Sequence, residues 1–505
     1  MEVSHTWSVW ESPALQRLGQ FVRERERAWD TDAPNFEQFE QGVHAQVMAL
    51  ERELLARELA RYDVAAEQVE VAGVTYQPVW EDTETYLTAA GEVPVRRHLY
   101  RPAGHNAKSI CPLELRVGIV GGYWTPCAAR QAAFVMAHLP AGEAEALFGE
   151  LAAMTPSRSS LDRLPRELSA RWEAKRDEWE GALRARETVP EAAACVALSV
   201  DGVMVAMKAK AARRTAKQAQ AGKHASGPAG HQEAGCGTVS LYDAAGERLQ
   251  TVRYARMPES KKVTVQAQLH GELGAVLALR PDLRRVHLAD GAEGNWKLLA
   301  EVERALGLSP ESRIEIVDFY HACDHLKEGC DAIWGESTPR SQAEFVRLKT
   351  LLKEDDGGAE RIIRVFKHHA ARTTGHRQRR IQTELTYFRN QRPRMRYPAH
   401  LRQHLPIASG VIEAACKTLV TQRLKCSGMA WSPAGGQAIL TCRSLIQSAR
   451  WPRAWQLLAA DFRQPITVVK PVPVRAAPHP QPLGPVASAR NTQGIRDYHA
   501  LPLAV

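Results

Sequence analysis

Short apolar segments alternate with amphipathic ones from residue 195 onward, and this alternation constrains the fold more than any other feature. The first apolar stretch, 195–207, is interrupted in its middle by Asp201-Gly202. The later strand-like segments are 236–242, 248–255, 284–289 and 313–317. Three successive strands followed by strand–helix units predict an α/β fold, a mixed five-stranded sheet covered by helices.

The rest of the chain is expected to form further regions, because 505 residues exceed the usual length of one domain. A helix is predicted over 36–62, either packed on its own domain or mediating dimerisation, and a β-hairpin is predicted over 84–101. The predicted regions are a helical region 1–70, a small β-hairpin region 71–127, a helical region 128–190, a sheet domain 191–318 with 406–462, a helical basic insertion 319–405 and a disordered Pro-rich tail 463–505.

The region 128–190 has the plan of a helix-turn-helix. Two apolar-periodic stretches precede a turn at 155–157, and the next helix carries Arg158, Arg163 and Arg166. In such motifs the second helix enters the major groove of DNA. Pro165 is expected to kink this helix, so an ordinary helical linker is the alternative interpretation.

Positive charge is concentrated in two segments. The whole chain has 66 Lys or Arg and 57 Asp or Glu, a net charge of +9. Residues 361–404 hold twelve Lys or Arg and one acid (net +11), and residues 202–232 hold six and no acid (net +6). Such segments predict a polyanionic partner, nucleic acid first and an anionic membrane surface second.

Aromatic residues lie between the arginines of 361–404, which suits base stacking in addition to phosphate contact. These aromatic residues are Phe366, Tyr387, Phe388 and Tyr397. The alternative is an arginine-rich face that is simply solvated.

Three carboxylates stand at junctions of the predicted elements. Asp201 interrupts an apolar strand, Asp290 ends a buried strand, and Glu413 lies in the first turn of a helix. Carboxylates that converge at one end of a sheet repel each other, and divalent cations such as Mg²⁺ relieve that repulsion. Each residue also has a purely structural interpretation: a hairpin turn at Asp201-Gly202, a strand end at Asp290 and a helix-capping position at Glu413.

Four ordered motifs lie within roughly 190–460, more than half of the chain. They are SVDGVMV at 199–205, LADGAEGNW at 288–296, VDFYHACDHL at 317–326 and GVIEAACK at 410–417. These motifs resemble those of the DDE transposases of bacterial insertion sequences, most closely the ISKra group. The resemblance implies an RNase H-like catalytic domain with a helical insertion before the helix of Glu413. It also implies that Asp201, Asp290 and Glu413 are a catalytic, metal-binding triad for two Mg²⁺ ions, with Mn²⁺ as a substitute.

A secondary motif, Asp-x-x-His, resembles one in Mutator-like transposases. It comprises Asp318 and His321, with His325 one helical turn further on. These residues are expected to orient DNA or the active site, or to pack; a zinc site would need further ligands. The residues expected to contact DNA are Arg377, Arg379, Arg380, Arg392, Arg394, Arg396, Lys417, Arg423 and Lys425.

Membrane and secreted classes are disfavoured. No apolar run approaches the roughly 18 residues of a membrane span, and the first residues lack a signal-peptide pattern. Nine cysteines with no Cys-x-x-Cys pair suit a reducing compartment. We therefore expect a cytoplasmic, nucleoid-associated bacterial protein.

Together these features predict a transposase that binds the terminal inverted repeats of its own element through residues N-terminal to about 190. It would cleave the DNA ends with a metal-activated water, and the freed 3′-hydroxyl would attack target DNA. Pairing two ends requires at least a dimer on double-stranded DNA. Two alternatives remain: another RNase H-like nuclease, which cleaves without joining, and an inactive, transposase-derived DNA-binding protein.

Overall fold

The computed structural model of the chain describes residues 9–29, 35–102, 108–208 and 230–471. The chain divides into two compact units, Met1–Arg171 with Trp455–Val505, and Trp172–Ala454. Within the described ranges, no helix is both long enough and apolar enough to cross a membrane.

Both units contain helices and strands. The helices are α1 Pro13–Ala28, α2 Phe36–Ala60, α3 Pro112–Val117, α4 Pro126–His138, α5 Ala141–Leu151, α6 Arg158–Ala174, α7 Arg176–Arg184, α8 Val263–Leu279, α9 Glu293–Ala305, α10 Phe319–Trp334, α11 Pro339–Glu354, α12 Gly358–Ala370, α13 Gly375–Gln391, α14 Tyr397–Arg402, α15 Gly410–Ala415, α16 Pro433–Gln447 and α17 Trp451–Asp461. The strands are β1 Ala66–Val71, β2 Val74–Thr88, β3 Gly91–Pro102, β4 Ala193–Ala206, β5 His231–Asp243, β6 Arg248–Arg256, β7 Arg284–Ala289, β8 Arg313–Val317 and β9 Thr467–Pro471.

The first unit contains an antiparallel four-stranded sheet in the order β3-β2-β1-β9. The predicted hairpin is present as β2 and β3, which are longer than expected. Its turn is closed by Thr88, whose Oγ1 donates a hydrogen bond to the carbonyl of Gly91 at 2.7 Å. The predicted helix over 36–62 is also present, as α2.

The tail departs from the prediction of disorder at its start. Thr467–Pro471 forms β9 and pairs antiparallel with β1. The prolines around this segment favour disorder, but its β-branched residues favour a strand and β1 supplies the pairing partner. Residues 472–505 lie outside the described part of the chain.

The predicted helix, turn and arginine-bearing helix correspond to α4, α5 and α6. Pro165 lies inside α6, and the helix does not end there. Arg158, Arg163 and Arg166 are all exposed on α6. A helix-turn-helix that reads DNA remains a prediction for this region.

The second unit is built on a mixed five-stranded sheet, as the sequence predicts. The strand order is β6-β5-β4-β7-β8; β4, β5 and β6 are antiparallel, whereas β7 and β8 run parallel to β4. β4 passes straight through Asp201 and Gly202, which lie opposite Cys236 and Gly235 of β5. This pairing excludes a hairpin turn at Asp201-Gly202. The predicted fold class, α/β with a mixed five-stranded sheet, is confirmed.

One apolar core joins this sheet to the helices that follow it. Buried side chains of β4, β5, β7 and β8 pack with those of α8 to α13. The predicted helical insertion between β8 and α15 is present as α10 to α14. Within it, the rings of Phe366 and Phe388 are fully buried and meet edge to face at 5.6 Å.

A buried ionic network joins the helices of the second unit to β6. The Arg450 side chain, 2% exposed, donates from Nε to Glu187 Oε1 at 2.7 Å and from Nη2 to Glu272 Oε2 at 2.8 Å. Its Nη1 donates to the hydroxyl of Tyr254 at 2.8 Å. Removing one partner from such a network leaves a charge buried and uncompensated.

We expect Arg450→Ala to lower the free energy of unfolding by about 3–5 kcal/mol, because the buried Glu272 carboxylate would lose both hydrogen bonds that Arg450 donates to it. Arg453→Ala is the matched control, since Arg453 also pairs with Glu187 but its side chain is 32% exposed. The control is expected to cost at most about 1 kcal/mol. Urea unfolding of both variants checks this, and equal losses would contradict it.

Candidate functional site

Asp201 lies within β4, opposite Cys236 of β5. Its Oδ1 accepts a hydrogen bond from the Gly202 amide at 2.7 Å, and its Oδ2 accepts one from the Cys416 thiol at 3.6 Å. Burial raises the pKa of the Asp201 carboxyl, and the nearby charge of Asp290 also raises it. We call Asp201 and Asp290 the acidic pair.

Asp290 follows the last residue of β7, at a turn that Gly291 makes with a φ of +101°. Its Oδ1 accepts hydrogen bonds from the Ala292 amide at 3.0 Å and from Asn295 Nδ2 at 3.1 Å. In the parallel pair of β4 and β7, Ser199 lies opposite Leu288. Asp201 follows Ser199 by two residues, and Asp290 follows Leu288 by two residues. Both aspartates therefore lie at the carboxyl edge of β7.

Glu413 is exposed on α15, and its Oε1 accepts a hydrogen bond from Ser409 Oγ at 3.1 Å. Cys416, one helical turn later, is the residue that contacts Asp201. The structure thus brings the helix of Glu413 against β4 beside the acidic pair. In the described parts of the chain, no group of three or more His, Cys, Asp or Glu side chains is arranged to hold a metal ion.

Asp318 is fully buried and caps the start of α10. Its carboxylate accepts hydrogen bonds from two backbone amides, that of His321 at 2.5 Å and that of Ser409. Its own amide donates to the Ala289 carbonyl at 2.8 Å. Asp318 therefore links the end of β7 to the starts of α10 and α15, which is a structural role.

His321 and His325, from the same motif, lie on α10 and face α13. The ring of His325 stacks on Tyr387 at 3.6 Å, and its Nδ1 lies 2.6 Å from Glu384 Oε2. His321 and His325 meet ring to ring at 4.9 Å. Burial raises the pKa of Tyr387, and the charges of Asp290 and nearby acids add to this effect. These contacts show packing against α13 beside the acidic pair.

Lys262 and Asn295 are the residues of this site that sequence reasoning missed. Lys262 Nζ lies 3.4 Å from the carbonyl of Asp201 and 3.2 Å from Asn295 Oδ1. Asn295 in turn donates to Asp290. Asn295 lies within the motif at 288–296, but the sequence assigns it no role. No local pattern marks Lys262, because the position of Lys262 follows from the packing of α8 against β5.

Two of the predicted DNA-contacting arginines are used inside the protein. Arg377 donates to the carbonyls of Ala332, at 2.7 Å, and Ile333, and so closes the end of α10. Arg423 is 3% exposed and lies over the ring of Trp431 at 5.4 Å. Arg423 is thus shielded from solvent, whereas Arg377 remains an exposed residue.

Three further arginines of the set pair with carboxylates. Arg394 donates to Glu315 Oε2 at 2.7 Å and lies over the ring of Trp296 at 4.3 Å. The two other pairs are Arg380–Glu328 at 2.8 Å and Arg392–Glu360 at 3.9 Å. The remaining residues of the set are exposed: Arg379, Arg396, Lys417 and Lys425.

The prediction of base-stacking aromatic residues is wrong for three of the four. Phe366, Phe388 and Tyr397 are completely buried, because they supply the core of the insertion, and Tyr387 is half-buried against His325. The second basic segment, 202–232, lies outside the described residues from 209 to 229.

No family model matches the chain. No curated protein sequence matches it either. Among solved structures, the chain is similar to the Drosophila P element transposase strand transfer complex. That match has 12% sequence identity, covers 65% of this chain and 80% of that chain, and has a TM-score of 0.24. A superposition this loose supports no inference about fold or function.

The contacts of Asp318 generate a prediction about stability. We expect Asp318→Ala to lower the free energy of unfolding by about 3 kcal/mol, because two backbone amides lose their acceptor near the core. The control is Thr338→Ala, which removes the cap of α11, a 3.1 Å hydrogen bond from the Ser341 amide, and the hydroxyl's own bonds to the carbonyls of Trp334 and Gly335. A cap of this kind is worth about 1 kcal/mol. If denaturant titrations give the two variants the same midpoint, the linking role of Asp318 is refuted.

Proposed function

We propose that the chain is a DNA transposase in which the acidic pair, completed by Glu413, binds divalent cations, cleaves DNA and joins strands. One observation carries the proposal: the parallel register of β4 and β7 places Asp201 and Asp290 at the same level at the carboxyl edge of β7, and the Cys416 thiol, just after α15, contacts Asp201. Open α/β sheets bind their ligands at that edge. The motif resemblance supplies the reaction class.

The donor chemistry of the acidic pair fits Mg²⁺. Carboxylate oxygens are the protein ligands that Mg²⁺ prefers, and one or two of them suffice when phosphates and waters complete the shell. Asp201 and Asp290 would hold both ions, and Glu413 would complete the second site. Two bound ions would activate a water or 3′-hydroxyl nucleophile and stabilise the leaving oxygen. Burial is the main cause that raises the pKa of Asp201, and repulsion by Asp290 adds to it; a cation would relieve that repulsion.

Double-stranded DNA is the proposed partner. The exposed cations Arg379, Arg396, Lys417 and Lys425 supply phosphate contacts in the same unit as the acidic pair. The exposed arginines of α6 supply contacts for reading the inverted repeats. We propose assembly as at least a dimer on two DNA ends, in the bacterial cytoplasm at the nucleoid.

Two other functions have distinct outcomes. An RNase H-like nuclease would cut DNA or hybrid duplexes without joining strands and without preference for inverted repeats. An inactive descendant of a transposase would bind the repeats without cutting them. Inverted repeats with short target duplications on both sides of the coding region would favour the transposase and would supply the substrate for every assay below.

We expect Asp290→Asn to abolish Mg²⁺-dependent cleavage and strand transfer while leaving binding of the element ends unchanged, because the amide removes a cation ligand but no DNA contact. Asp282→Asn makes the same substitution at an exposed position paired with Arg280 and is the control. Gel assays of cleavage and joining measure both. Full activity of Asp290→Asn in Mg²⁺ would rule out the mechanism.

Neutralising the exposed cations should weaken DNA binding. For the triple variant Arg379→Gln, Arg396→Gln and Lys417→Gln, the slope of log K against log salt should fall by about 2.7, since each phosphate contact contributes about 0.9. Arg304→Gln, whose exposed side chain pairs with Glu301, is the control. An unchanged slope, measured by fluorescence anisotropy between 50 and ~200 mM salt, would show that these side chains form only a solvated surface.

A further inference from the structure

A chain of hydrogen bonds connects the two members of the acidic pair. Lys262 Nζ donates to the carbonyl of Asp201 at 3.4 Å and to Asn295 Oδ1 at 3.2 Å. Asn295 Nδ2 donates to Asp290 Oδ1 at 3.1 Å. Two side chains from outside the predicted triad therefore join the strand of Asp201 to the turn that holds Asp290.

The backbone around Lys262 directs its side chain into this position. Lys261 and Lys262 both have left-handed conformations, with φ values of 56° and 52°, just before α8 begins. Such a conformation is unfavourable for a residue with a side chain. Gly235 of β5 leaves room for the lysine stem, because a Cβ there would lie 3.3 Å from both Cγ and Cδ of Lys262.

Both side chains are shielded from solvent. Asn295 is 7% exposed and the side chain of Lys262 is 17% exposed. Lys262 also pairs with Glu233 Oε1 at 3.2 Å, but the Glu233 side chain is half exposed, so this ion pair is weak. The bonds of Lys262 to Asp201 and Asn295 are the ones that point towards the acidic pair.

The Lys262 ammonium and the Asp290 carboxylate set the orientation of the Asn295 amide. A lysine ammonium can only donate, so the amide oxygen of Asn295 must face Lys262. Its NH₂ group then faces Asp290, whose carboxylate can only accept. Without Lys262 the amide oxygen of Asn295 loses its donor, so one of the two hydrogen bonds that orient the side chain is gone.

We propose that Lys262 and Asn295 are positioning residues that hold the acidic pair in the arrangement that receives a divalent cation. This inference rests on the proposed function, because it concerns the cation that the acidic pair binds. Side chains that orient metal ligands in this way are typically worth 10–100-fold in metal affinity or activity.

The test measures Mn²⁺ affinity by electron paramagnetic resonance of the full chain without DNA. Asn295→Leu keeps the volume of the side chain but removes both hydrogen bonds, and it should weaken Mn²⁺ binding about 10-fold or more. DNA affinity should stay unchanged, kcat for cleavage should fall at low Mn²⁺, and high Mn²⁺ should restore it. Equal Mn²⁺ affinity in wild type and variant would overturn this inference alone, whereas a wild type that binds no Mn²⁺ would overturn the proposed function with it.

Lys262→Met provides a second test whose sign separates two roles. A lysine that acts only as a charge repels cations, so its loss should tighten Mn²⁺ binding. A positioning lysine should weaken Mn²⁺ binding when it is lost, and its effect should not add to that of Asn295→Leu in the double variant. Lys297→Met, on the exposed face of α9, is the control. Tighter Mn²⁺ binding by Lys262→Met would refute the proposal, and this test does not depend on the folding of Asn295→Leu. Additive effects of the two substitutions on Mn²⁺ affinity in the double variant would also refute it.

Discussion

The parallel pairing of β4 with β7 is the constraint on which the rest of the site depends. Ser199 lies opposite Leu288, and the acidic pair follows two residues later in each segment. A shift of one residue in either strand would turn a carboxylate towards the opposite face of the sheet. The register is held by a core on both strands, where Leu198 and Leu288 are almost wholly buried. Apolar packing in the sheet therefore fixes the relative positions of Asp201 and Asp290.

Asp318 extends this constraint from the sheet to the helices. The Asp318 amide donates a hydrogen bond to the carbonyl of Ala289, the last residue of β7. Its carboxylate accepts hydrogen bonds from the amides of His321, in the first turn of α10, and Ser409, just before α15. The segment that carries Glu413 is thus anchored to the strand that ends at Asp290, although many residues separate them in sequence. A buried carboxylate with two amide donors is well satisfied, which explains why an acid is tolerated at this depth.

The number of arginines and lysines in the basic insertion does not show how many of them face solvent, where DNA could bind. Arg377 and Arg394 lie in the segment that composition marks most strongly, yet each is used by an internal carbonyl or carboxylate. The guanidinium has five donors, so it serves equally well to close a helix end or to contact a phosphate. Composition predicted a polyanionic partner, but it does not show which arginines face outward.

The sequence by itself determined the five strands of the mixed sheet, the helical insertion and the choice of Asp201 and Asp290 as candidate site residues. It could do so because alternation, helical periodicity and breaks are local properties of neighbouring residues. Only the tertiary structure decided that Asp201 lies in a continuous strand, that Thr467–Pro471 joins a sheet, and that Lys262 reaches the acidic pair. Each of these depends on partners distant in sequence, and packing selects such partners where local propensity leaves several conformations open.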